Sequence, residues 1–190
     1  FVRRHSAVAG RSEILDLVLH VAANGSASDS IVQSHGGRAQ ELRVRDFIGR
    51  GGDLDMSGLN SDRGAAYLAL ANVIWGSDEH LEIIASFVTK QIECEPLVSV
   101  KMQMMHLLNA ISKYDPDRGI ELLLKLAEGD LEALNTRVGL NMLRWSVFNH
   151  SERVRKLVYR MCGSDNLGVS ALGLFLLSDM ALGDDEEEIA

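Results

Sequence analysis

The sequence is poor in residues that break a chain or brace it. Two prolines in 190 residues and an aromatic content of 5% leave little to interrupt helices and few of the rings that strands favour. Cys94 and Cys162 stand alone, without a CxxC partner, which excludes a disulfide scaffold and suits reduced thiols in a cytoplasmic protein. No run approaches 18 uninterrupted apolar residues, so no transmembrane helix and no membrane partner are expected. The chain opens at Phe1 without a signal-peptide pattern and stops in an acidic run, and both ends read as cuts in a longer polypeptide. A net charge of −8 removes any general attraction to nucleic acid or anionic lipid.

Hydrophobic residues at 46% and charged residues at 24% are the proportions of a folded globular chain. Residues 12–23 read as a helix that Ser12 can cap, with Ile14, Leu15, Val18, Leu19 and Ala22 at helical spacing. Residues 24–37 read as a Gly- and Ser-rich loop, and 38–48 as a second helix. Residues 49–58, with four glycines, read as a connector. Seven further helices are expected at about 62–75, 78–92, 96–114, 116–128, 137–148, 151–162 and 166–182, joined by connections short enough to make neighbours antiparallel. No segment alternates convincingly enough to be a strand.

These helices alternate in kind. Those at 62–75, 96–114, 137–148 and 166–182 are apolar on more than one side, as buried helices are; those between them are amphipathic. Superimposing the starts of the buried set brings Arg63, Lys101, Arg137 and Ser170 into register, at separations of 38, 36 and 33 residues. A period of that length, without in-phase TPR residues, predicts an all-α solenoid of HEAT-like antiparallel helical pairs. The expected organisation is an irregular helical segment at 1–58, the repeat array at 59–183 and an acidic tail at 184–190.

Glu95-Pro96 followed by Val100-Lys101 fits the HEAT pattern of an acidic or Asn residue, then a Val-basic pair. Asn60, Arg63 and Ala65-Ala66 fit it with Asp62 in place of the usual apolar residue, Asn135-Thr-Arg-Val138 fits weakly, and Val169-Ser170 lacks the basic residue. Beyond that, the order "GLNSDRGAAYLALANVIW", "IECEPLVSVKMQMMHLLNAISKYDPDRGIELLLKLAEGD", a Leu-Arg-Trp segment and "VRKLVYRMCGSDNLGVSALG" resembles the helical-repeat block of large bacterial antiviral STAND NTPases of phage defence. In that family an effector precedes a P-loop ATPase, and a long helical-repeat region binds a phage protein and triggers assembly. The resemblance implies a protein-binding scaffold or sensor segment, with a phage or other protein as partner and oligomerisation through the full-length protein. No GxxxxGK[ST] occurs in the chain, so the ATP site is expected elsewhere. The segment itself is expected to hold no enzyme active site, cofactor or metal.

Candidate residues divide into packing and binding. Arg63 and Lys101, with Arg137 as the weaker third member of the register, suit cross-links between repeats, where a basic side chain bonds acids or carbonyls of the adjacent unit. Arg153, Lys156 and Arg160 form the one dense basic cluster, on a helix whose Val154, Leu157, Val158 and Met161 face inward. That face is the candidate partner-binding surface, as part of the row of second helices. The alternative function is a nucleic-acid-binding HEAT-like domain with phosphates tracking those three cations. The six histidines lack metal-ligand spacing, His106 reads as a core or groove residue, and Val98, Met102, Met105 and Leu108 read as a core stripe with Asn109 at its edge.

Overall fold

A computed structural model describes residues 12–27 and 52–187. Among them lie eight α-helices and no strand: α1 (Ser12–Asn24), α2 (Gly52–Leu59), α3 (Asp62–Gly76), α4 (Leu81–Cys94), α5 (Val98–Ser112), α6 (Pro116–Gly129), α7 (Arg137–Cys162) and α8 (Leu167–Glu187), with a 3-10 turn at Glu132–Leu134. The fold is all-α, as expected. The helix anticipated at 38–48 lies outside the described residues.

Short polar side chains start these helices where the sequence puts them. Ser61 accepts a hydrogen bond from the Gly64 amide at the head of α3, Asp115 from the Arg118 amide at α6, and Thr136 from the Gly139 amide at α7. Each satisfies a donor that the first helical turn leaves unpaired. Pro116 occupies the first turn of α6, where its missing N–H is not needed. At α8 the Asn166 side chain accepts from both Gly168 and Val169.

Two boundaries differ from expectation. Residues 52–59, read as connector, are helical. Gly58 is a packing glycine rather than a breaker: a Cβ there would sit 2.1 Å from the Ser99 carbonyl oxygen, so α2 approaches the backbone of α5 more closely than any side chain permits. Gln103 of α5 secures the same contact, donating to the Asp55 carbonyl at 3.0 Å and to its carboxylate at 2.7 Å. The helices expected at 137–148 and 151–162 are the two limbs of α7, parted by a kink at His150 (φ −146°, ψ 41°) as the sequence divided them. The backbone of α8 also runs through much of the acidic stretch, to Glu187.

Helix α5 occupies the centre. Eleven of its fifteen residues are buried, against four of fourteen in α4, which is the difference between a helix covered on several sides and one with a single inward stripe. It packs on α2, α3 and α6, and touches the 3-10 turn, α4 and α7. One contiguous hydrophobic cluster runs from Leu15 in α1 to Met180 in α8. At a core position such as Leu107, removal to Ala costs about 2–5 kcal/mol.

Candidate functional site

The basic residues singled out by register are largely engaged in holding helices together. Arg63 of α3 reaches Glu95, just before α5, with contacts of 2.8 and 3.0 Å, and the same carboxylate accepts the Leu97 amide. Glu95 is 2% exposed and Arg63 15%, so this is a nearly buried pair. Burial, then the Glu95 carboxylate, pushes the Tyr67 phenol beside it upward from its ordinary value, with Arg63 opposing. Lys101 of α5 meets Asp130, beyond α6, at 2.5 Å. Arg137 is exposed and makes no ion pair among the described residues, so the register of cross-links stops after two members.

A second series joins the outer helices. Arg118 at the start of α6 pairs with Glu82 at the start of α4 at 2.8 Å, and Arg153 at the start of the second limb of α7 pairs with Asp117 of α6. Both span 36 residues. Further along, Lys125 meets Glu93 at 2.6 Å, and Arg160 donates to the Ala127 carbonyl at 3.2 Å. The basic cluster is therefore mostly spent: Arg153 and Arg160 brace α7 against α6, Arg155 pairs with Glu152 on its own helix, and Lys156 alone of the candidate trio makes neither an ion pair nor a hydrogen bond among the described residues.

The surface that is not spent lies on the other side, where the first limb of α7 parts from α5. The 3-10 turn is packed among α5, α6, α7 and α8, with Ala133 and Leu134 fully buried, but it lines none of this opening. The gap is a cleft of about 420 Å³ lined by Trp75 from the end of α3, Asn109, Ser112 and Lys113 from the end of α5, Pro116, and Asn141, Met142 and Trp145 from α7. Both tryptophans of the chain face it, and they are 44% and 40% exposed. Met142, which is buried, adds apolar wall, while Asn109 and Asn141 bring carboxamides.

Lys113 sets the charge of the cleft. Its ammonium donates to the Trp75 carbonyl at 3.1 Å and to the Tyr114 hydroxyl at 2.7 Å, and it lies 5.5 Å from the Trp75 ring centre and 4.3 Å from that of Tyr114. Rings and neutral oxygens hold it, with no carboxylate partner among the described residues. On α7, Arg144 is occupied by Asp179 of α8 at 2.9 Å and lies over the Phe175 ring. At the far edge, the His150 ring stacks obliquely 5.2 Å from Trp145.

Sequence reasoning placed Asn109 at the edge of the core stripe but did not find this cleft. The readable signal was the pair of tryptophans on helices otherwise rich in buried positions. His106 is half-buried, and burial lowers its pKa while Asp55 opposes the shift. Among the described residues no group of three or more His, Cys, Asp or Glu is placed to hold a metal, and no helix is long and apolar enough to cross a membrane. A scan against protein-family models matches none, and searches of curated proteins and of solved structures return no match.

Proposed function

We propose that this chain is a protein-binding scaffold or sensor segment built of HEAT-like helical pairs, and that it serves a larger bacterial NTPase of antiviral defence. The Trp75–Trp145 cleft is the surface it offers to its partner, a phage or other protein, in the cytoplasm. The observation that carries this reading is the exposure of both indoles at one opening between helices. Each indole has roughly 200 Å² to bury, so covering the exposed two-fifths would contribute about 2 kcal/mol per ring. Tryptophans left open in this way are the usual anchors of protein interfaces.

The helical-pair reading is supported by the spacing of polar links. Within 59–183, polar contacts between helices recur 29 to 38 residues apart, from Lys101–Asp130 to Lys113–Trp75. Each unit thus bonds the next, as expected of an array whose stability comes from neighbouring interfaces. The nucleic-acid alternative has less behind it, because Arg153 and Arg160 are committed to α6 and the chain is acidic overall.

The reading is tested in the full-length protein with Trp75→Ala and Trp145→Ala combined. Helical circular dichroism is expected to stay as it is, while target recognition and assembly are lost. Deleting residues 59–182 should abolish both as well. Recognition and assembly that survive the deletion would contradict the proposal.

A further inference from the structure

Resting on the reading of the cleft as a protein-binding surface, we infer that its occupant is an extended acidic peptide segment of the partner, with a carboxylate beside an apolar or aromatic side chain. The charge comes first. Lys113 is held at the mouth by two rings and two neutral oxygens, with no described carboxylate against it. On the outer helices Arg118, Lys125 and Arg153 each already meet an acid, and the exposed Lys90 and Lys156, which have no ion pair among the described residues, do not line the cleft. A partner carboxylate completes the pairing that the protein itself leaves open. Charge-assisted hydrogen bonds of this kind are roughly twice as strong as neutral ones.

The same lysine excludes the opposite ligand. A cationic side chain seeking the aromatic faces would find those of Trp75 and Tyr114 already beneath an ammonium. A nucleic-acid strand would bring several phosphates to an opening that offers one unpaired cation, on a chain of net charge −8.

The walls fit a peptide in the rest of their chemistry. The indoles of Trp75 and Trp145 with Met142 make an apolar slot for one side chain. Asn109 and Asn141 spend their carboxamides on no other described residue, so each brings a donor and an acceptor together, the complement of a main-chain amide. The volume, about 420 Å³, falls within the roughly 300–1,000 Å³ of ligand-sized sites.

Because the chain's only two tryptophans both line the cleft, intrinsic fluorescence reports occupancy there. The protein is titrated with four probes: end-capped decapeptide pools with a central Asp-Leu-Glu-Phe, with Lys in place of the acids, or with Ser in place of the acids, and a ten-nucleotide oligothymidylate. The acidic pool is expected to shift the emission saturably, at least ten-fold more tightly than the other pools, and more weakly as salt rises. Lys113→Gln, at an exposed position, should remove about ten-fold of that affinity, with the circular dichroism unchanged. Equal binding of all three peptide pools, or preference for the lysine pool, overturns the acidic-segment inference and leaves the peptide-binding cleft standing. Emission that responds to the oligonucleotide alone, or to no probe, overturns both.

Discussion

Helix α5 is closed on one side and open on another. Towards α3 the seam is closed: α3 buries Ala66, Tyr67, Leu70, Ala71 and Ile74, and the nearly sealed Arg63–Glu95 pair lies across the junction. Towards α7 the facing residues include Met142, Trp145 and Asn141, and the helices part around a cleft. The first seam has spent its polar and apolar groups on itself. The second has left two indoles, two carboxamides and an ammonium for something else to meet. One seam is thus a cohesive joint and the other an open cleft, with different side chains facing α5 in each.

The comparison can be broken most sharply in the core. Leu70, fully buried on α3, should cost about 3–5 kcal/mol when cut to Ala, since the void is sealed on every side. Met142→Ala should cost about 2 kcal/mol or less, because its void opens into the cleft. Urea denaturation of both variants measures the difference, and equal losses would mean that the two seams are alike in packing. Glu95→Ala comes next, at about 3 kcal/mol, because it strands Arg63 next to a buried tyrosine. On the outer helices Arg153→Ala should lose no more than about 1 kcal/mol, and less in high salt, since its partner Asp117 is mostly in water.

The smallest effect is a matter of pH. His106 has its folded pKa lowered by burial, with Asp55 opposing. It therefore contributes stability that is fully present above the ordinary histidine value of about 6.5 and is lost as pH falls through the folded value. His106→Gln should flatten the fall in stability between neutral pH and pH 5, measured by denaturation at a series of pH values. An unchanged slope would assign the acid sensitivity to other groups.

Much of the architecture was legible from caps and spacing. The helices capped by Ser61, Asp115 and Thr136 begin at the positions expected from spacing, and the alternation of buried and amphipathic helices holds for α5 against α4. The miss at α2 came from reading Gly58 as a breaker when it is a close contact, and composition cannot separate those two uses of glycine. The basic cluster misled for a different reason. Arg153 looked available because its acid, Asp117, lies 36 residues earlier. The same interval separates Arg118 from Glu82, so reading charges at the repeat spacing would have paired both. The cleft itself joins residues as distant as Trp75 and Trp145 and depends on how far α7 stands from α5, which no local pattern records.

The most direct test of the central claim is the pair of indole N–H resonances in a proton–nitrogen correlation spectrum, one for each tryptophan, followed as the acidic decapeptide pool is added. The account predicts that both indole signals move together and saturate, with backbone signals of α4 and of the second limb of α7 unmoved. Indole signals that stay fixed while those outer helices respond would contradict it.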